Sequence, residues 1–191
     1  MNKENIMYAI IALLVGILGT VLVVGISTKN RTAAPSEVTM TPGAGSPTDY
    51  QQRIAEGEKI VAQDPTNVKA WIMLGNDYFD TDQPQKSINA YAKALELKPN
   101  DTNVLTDQGV MFRKVGMSDR ALENFEKAQK IDPTHLQSLY NIGIVYRDDL
   151  NRPDKAIEAW TRYLKLDSTS PAAQEIKAQL VQLKANLPGK K

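Results

Sequence analysis

The feature that most constrains this chain is a pattern that returns every 34 residues. Trp71, Leu74, Gly75 and Tyr78 are answered by Leu105, Gln108, Gly109 and Phe112, and then by Leu139, Ile142, Gly143 and Tyr146. The second half of the unit repeats as well, with Ser87, Tyr91, Ala94 and Pro99 returning as Ala121, Phe125, Ala128 and Pro133. Pro65, Pro99 and Pro133 fall on the same ruler. Each unit holds two helix-length segments divided by turn residues. Such a unit cannot bury its apolar face alone, so tandem copies must stack as a helical solenoid.

Within the first unit, Trp71, Leu74, Gly75 and Tyr78 share one side of a helix with period 3.6. Gly75, Gly109 and Gly143 sit where a partner helix must come close, and a side chain there would overpack by about 1 to 3 kcal/mol. Trp71→Ala is expected to open a cavity costing about 3 to 5 kcal/mol. The second helix is expected from Gln85 to Leu97, carrying Ile88, Tyr91, Ala94 and Leu95, and Pro99 ends it because proline donates no helical hydrogen bond. In the second unit Gln108 replaces an apolar residue and reads as a weak point. The third unit departs further: its turn between Tyr146 and Ala156 is one residue longer, Tyr163 stands where Ala94 and Ala128 did, and Ser168 replaces the closing proline. Ala156, Ile157, Trp160 and Leu164 keep the apolar spacing.

Helices are also expected to flank the repeats. Asp49 is expected to cap one running to about Gln63, with Ile54, Ile60 and Val61 apolar and Asp64-Pro65 closing it. Its role would be a lid on the first complete pair. Ser170-Pro171 opens the last helix, whose stripe is Ile176, Leu180, Leu183 and Leu187, and Pro188-Gly189 stops it.

On these residues the chain, from about 49 to 187, resembles the tetratricopeptide repeat (TPR) family, whose unit reads large apolar, Leu-Gly, Tyr, small, aromatic, Ala, Pro at these spacings. The resemblance implies an all-α solenoid of antiparallel helix pairs wound as a right-handed superhelix. It divides the chain into a half-repeat helix at 49–65, repeats at 66–99, 100–133 and 134–168, and a capping helix at 170–187. It also implies that the leading helices line a concave groove for a protein or peptide. Carried over position by position, that groove is Lys69, Ile72, Asn76 and Phe79, then Asn103, Thr106, Val110 and Arg113, then Gln137, Tyr140, Ile144 and Arg147. Its apolar members would anchor a segment whose acidic or carboxylate group meets Arg113 and Arg147. The alternative is that these side chains pack on neighbouring helices with the arginines solvated. As exposed groups, Arg113 and Arg147 are expected to matter little to thermal stability. The carboxylate clamp of chaperone-binding TPR domains does not carry over. It needs Lys and Asn where this chain has Ile72 and Asp107, only Asn76 matches, and Asp107 would repel a terminal carboxylate.

Ahead of the repeats, a head of residues 1–5 precedes Ile6–Ile26, an uncharged run of 21 residues. As a helix it spans about 31 Å, the thickness of a bilayer's hydrocarbon core. It is too long for a cleaved signal peptide and reads as a transmembrane signal anchor. Residues 27–48, with Pro35, Pro42, Gly43, Gly45 and Pro47 among Thr, Ser and Ala, bury too little apolar surface to fold and read as a flexible linker. Lys29 and Arg31 behind the span lean towards a cytoplasmic repeat domain. The layout of short head, anchor and Pro/Thr/Ser linker points the other way, to a single-pass inner-membrane protein with its repeats in the periplasm. That same order looks like the periplasmic TPR components of cytochrome c maturation, which would imply an apocytochrome C-terminus as the ligand. Ala12, Gly16 and Thr20 place small residues four apart on the membrane helix, either as a packing stripe or as ordinary membrane-helix composition. If a stripe, it favours a rival reading, a scaffold or self-associating subunit of a larger membrane assembly.

Charge and chemistry narrow the classes. From Asp49 onward there are 20 basic and 20 acidic residues, so the basic excess that a general nucleic-acid binder needs is missing. With no Cys there is neither disulfide framework nor thiolate metal site. His135 is the only histidine and falls in a turn; no nucleophile elbow and no calcium-loop spacing appears around Asp80, Asp82, Asp148, Asp149 or Asp154. No catalytic constellation, metal or cofactor is expected.

Overall fold

The computed structural model describes residues 47–186. The expected membrane segment, the linker up to residue 46, Leu187 and the Pro188-Gly189 stop lie outside the described residues. Among those described, no helix is long and apolar enough to cross a membrane.

Among the described residues eight α-helices follow one another without a strand: α1 Pro47–Gln63, α2 Val68–Asp80, α3 Pro84–Leu97, α4 Thr102–Lys114, α5 Ser118–Ile131, α6 Leu136–Ile144, α7 Pro153–Leu166 and α8 Pro171–Asn186. α2 pairs with α3, α4 with α5 and α6 with α7, and each pair stacks on the next. α1 covers the first pair and α8 the last.

The leading helices start on side-chain caps. Asn67 Oδ1 accepts from Ala70 N at 3.0 Å, Asp101 Oδ1 from Val104 N at 3.3 Å and His135 Nδ1 from Ser138 N at 3.3 Å. Before two of them an Asp ties the turn: Asp64 accepts from Thr66 N at 3.1 Å and Asp132 from Thr134 N at 2.9 Å. Asp167 does the same before α8, accepting from Thr169 N at 3.0 Å and Ser170 N at 3.1 Å, and the Ser170 hydroxyl, with these two amides, holds its carboxyl down at about 2. Ser168 can therefore stand in for the missing proline, because Asp167 supplies the turn.

Between the helices of each pair, one residue takes the left-handed conformation: Asp82 (φ 58°), Gly116 (φ 79°) and Asn151 (φ 50°). The reversal lets Gln83 N reach Tyr78 O at 2.8 Å and Met117 N reach Phe112 O at 2.9 Å. In the third pair the extra residue goes into the helix itself. Val145–Asp149 widens to a π-turn, with Leu150 N donating to Val145 O at 3.0 Å. The downstream register is thereby kept, and Trp160 arrives where Tyr91 and Phe125 sit in the earlier pairs.

Those three aromatics fill the middle of each pair. Tyr91, Phe125 and Trp160 are all at most 1% exposed, and a Cβ added to Gly75, Gly109 or Gly143 would run into their respective rings. Ser87 Oγ donates to Gly75 O at 2.9 Å, and the matching Ala121 and Ala156 are fully buried. Gln108 is a tie between repeats and not the weak point expected: it is buried, Nε2 donates to Ile88 O at 3.0 Å, and Oε1 accepts from Asn124 Nδ2 at 2.8 Å. Tyr163 is also buried, edge-on to Tyr140 with centroids 6.4 Å apart, and helps seat α8 through Ala173, Ile176 and Leu180. Trp71 corrects another expectation. It is half-buried, its indole N–H donating to Pro65 O at 2.9 Å, so the full cavity cost belongs to Trp160 instead.

The lid differs from its sequence reading. α1 begins at Pro47, which places Asp49 in the first turn and not at the cap. Val61 is buried and Ile54 partly so, but Ile60 faces solvent. Beside this apolar contact lies an ionic tie: Arg53 of α1 pairs with Asp77 of α2, whose side chain is 2% exposed. Glu58 accepts from Tyr78 Oη at 2.5 Å beside it. Burial pushes the Asp77 carboxyl up despite Arg53, so removing the guanidinium would leave an uncompensated buried charge. Arg53→Ala should cost about 3 kcal/mol at neutral pH, and Asp77→Asn in the same chain should recover much of it. Chemical denaturation of the two variants checks this; an unchanged midpoint in Arg53→Ala would show that the pair does not hold the lid.

Candidate peptide-binding groove

The leading helices α2, α4 and α6 turn one face into their own pairs and a second face away from them. The twelve positions assigned to that second face behave in four ways. Lys69, Asn76, Asn103 and Gln137 are exposed. Ile72, Phe79, Val110, Tyr140 and Ile144 are half-buried: each rests partly on the core and keeps some surface open. Thr106 is a correction. It is fully buried and its hydroxyl donates back to Thr102 O at 2.8 Å, so it offers the groove nothing.

Arg113 and Arg147 form the fourth group, and neither is a solvated cation. Arg113 Nε donates to Asp149 Oδ2 at 2.7 Å and Nη2 to Asp149 Oδ1 at 3.1 Å, with Asp148 Oδ2 at 3.4 Å. Arg147 Nε donates to Asp148 Oδ1 at 2.5 Å, and its guanidinium lies 5.0 Å from the Trp160 ring. Asp148, held below the usual carboxylate range by Arg147 above all, serves both arginines. The Arg113 clasp joins the second repeat to the third, so this arginine is not the solvated group that the alternative reading expected. The two acids lie in the π-turn. Reading them as plain turn residues missed what they hold.

Polar side chains complete the floor. Asn76 Oδ1 accepts from Tyr91 Oη at 2.8 Å, Asn103 Oδ1 lies 3.0 Å from His135 Nε2, and Tyr140 Oη donates to Glu175 of α8 at 3.4 Å. Lys114 of α4 reaches back to Asp82 at 2.5 Å, a second clasp between repeats. Asp107 on α4 has no such partner among the described residues. The charges that act on it are the carboxylates of Asp101 and Asp80, and burial together with them pushes its own carboxyl up to about 6. Elsewhere, clefts open between successive second helices, such as one of about 720 Å³ beside Val61, Trp71 and Tyr78, rimmed by Glu58, Lys86, Lys93 and Glu96. Among the described residues no group of three or more acidic or histidine side chains converges to hold a metal.

Comparison with known proteins follows the repeat. Residues 68–101, 103–135 and 137–170, together just over half of the chain, each match a model described as tetratricopeptide repeat. The anaphase-promoting complex subunit 3 of Schizosaccharomyces pombe is 25% identical over 133 residues, covering 70% of this chain and 20% of that protein. The chain spans under a third of the length of the curated relatives it matches. Among solved structures, YrrB, described as a TPR protein with an unusual peptide-binding site, is 28% identical with a TM-score of 0.62, over 68% of this chain and 66% of that one. The first TPR of Spaghetti (RPAP3), bound to the HSP90 peptide SRMEEVD, shares the fold at 17% identity and a TM-score of 0.57, over 63% of this chain and 94% of that one.

Asp107 gives the groove a pH signature. Its folded carboxyl titrates near 6 against 3.8 for an unperturbed one, so the charged form is disfavoured by folding. The penalty is fully present above pH 6, fades as pH falls towards 3.8, and is absent below it. Asp107→Asn should therefore stabilise the protein by about 1 to 2 kcal/mol near pH 7.5 and by nothing near pH 4. Thermal unfolding at the two pH values decides; equal gains at both would mean that the carboxylate is solvated.

Proposed function

Because the chain belongs to the tetratricopeptide repeat family, we propose that it is a non-catalytic adaptor holding a protein or peptide partner against the exposed face of α2, α4 and α6. One observation carries this reading: five large apolar side chains, Ile72, Phe79, Val110, Tyr140 and Ile144, remain partly open along that face. Scattered apolar residues need no explanation, but a row repeated from unit to unit is a surface kept for contact. The unusual peptide-binding site for which YrrB is described supports the same use of the fold.

A photo-crosslinking residue at exposed Gln137 or Asn76 tests the adaptor against the scaffold. The adaptor predicts an adduct with a different protein, and the scaffold predicts one of twice this chain's mass. Exposed Lys127 on α5 serves as the control. Adducts no stronger from the groove than from Lys127 would remove the adaptor reading.

The finer version places the adaptor at the inner membrane, anchored by residues 6–26, with its repeats in the periplasm. Its support is the uncharged 21-residue run ahead of the linker. The order of anchor, linker and half-repeat further supports an apocytochrome c as the partner. In spheroplasts the repeat domain should be cleaved by added protease before lysis. Survival until lysis would put it on the cytoplasmic side and take the apocytochrome version with it.

A further inference from the structure

We propose that the groove takes a segment carrying a lysine or arginine flanked by apolar side chains, the cation seated against Asp107. This inference rests on the adaptor reading and gives it a ligand chemistry opposite to the acidic one that Arg113 and Arg147 had implied.

The charges of the groove decide its sign. Arg113 and Arg147 are spent on Asp149 and Asp148, and Lys114 on Asp82. An anionic ligand would have to take a guanidinium from a carboxylate that already holds it at 2.7 Å or 2.5 Å. Of the groove positions, that leaves Lys69 as a cation with no carboxylate on it among the described residues, at the start of α2. On the other side of the balance, Asp107 is half-buried in the middle of α4. Around it lie Asp80 at the end of α2, Tyr91 of α3 and Asp101 at the cap of α4. None of these is a cation; Asp101 is itself held by Lys98 at 2.9 Å, and Asp80 accepts from Tyr50 Oη at 3.1 Å. Tyr91 donates its hydroxyl to Asn76.

A half-buried carboxylate with no cation on it gains most from an ammonium or guanidinium brought by a partner. The flanks fit the rest of such a segment: Ile72 and Phe79 on α2, and Val110 one turn along α4, offer apolar contact. Binding would also couple to pH, since the cation gains its full attraction only when Asp107 is ionised.

The test is selection of a phage-displayed library of random peptides of about twelve residues on the full-length chain near pH 7.5. Enriched peptides should carry Lys or Arg beside an apolar residue, at least about threefold over the input library. Asp107→Asn should return that preference to the input level. The best peptide, synthesised with a fluorophore, should bind the parent chain about tenfold more tightly than Asp107→Asn, and the gap should close near pH 5. Acidic or uncharged winners, or Lys/Arg winners that Asp107→Asn retains equally well, would overturn the proposal and leave the adaptor standing. No enrichment of any kind would remove both. Sedimentation of the chain as a dimer that Asp107→Asn breaks would make the occupant a second copy, which also overturns the proposal.

Discussion

Everything in the described fold depends on one contact made three times: a glycine on the leading helix against an aromatic ring on its partner. Gly75 faces Tyr91, Gly109 faces Phe125, and Gly143 faces Trp160. The ring occupies the place a side chain would need, so the two helix axes are brought close and fixed in register at that point. The ring can change identity because any ring edge fills the place: Cε1 and Cδ1 of Tyr91 and Phe125 meet their glycines, and the Nε1 edge of Trp160 meets Gly143. Tyr91 sends its hydroxyl out to Asn76, and Trp160 its N–H to Tyr140 O at 3.0 Å. Both large aromatics thus carry a polar group out of the core to a partner, and Phe125 needs none.

The third pair shows how strictly this contact is kept. One added residue would rotate every later side chain of a helix by about 100° if it were carried forward. The chain instead absorbs it in the π-turn at Val145–Asp149, before α7 begins. The widened turn also carries Asp148 and Asp149, which clasp Arg113 of the preceding repeat. An insertion that looks like a defect in the repeat is therefore the site of a junction between repeats. It is also the reason the groove's two arginines are neutral in effect.

Much of this was legible in the sequence, and the boundary between what was and was not is physical. Apolar periodicity reports each helix's buried face directly, so the glycine contacts, the helix pairs and the stripe of α8 could be read from spacing alone. Groove positions follow from the same periodicity, but their accessibility does not. Thr106 shares its register with Ile72 and Tyr140, and a small side chain with a backbone acceptor one turn behind it is simply covered. Ion pairs were the least visible. Arg113 meets Asp149 across 36 residues, a distance with no periodic signature, and Arg53 meets Asp77 across 24. Gln108 misled for a related reason. It looked like a polar flaw in an apolar column until the carbonyl of Ile88 and the amide of Asn124 were placed beside it.

Among the described residues, burial pushes up the carboxyls of both Asp77 and Asp107, and their different treatment separates structure from function. Asp77 occupies a register that is apolar in the next two repeats, where Met111 and Val145 are buried against the preceding pair. Only the first repeat faces α1, and only α1 brings an arginine, so the acid marks a junction that the other repeats do not have. A pair of that kind adds specificity more than stability, because desolvation offsets much of its attraction. Asp107 sits in a register held by Met73 and Asn141 in the flanking repeats, both half-buried and uncharged. No helix of the described chain brings it a cation. Packing would have been served as well by a neutral residue, as its two counterparts show, so the carboxylate at 107 is a cost that folding alone does not explain. The same physics that makes Arg53 a structural partner for Asp77 makes a cation from outside the natural partner for Asp107.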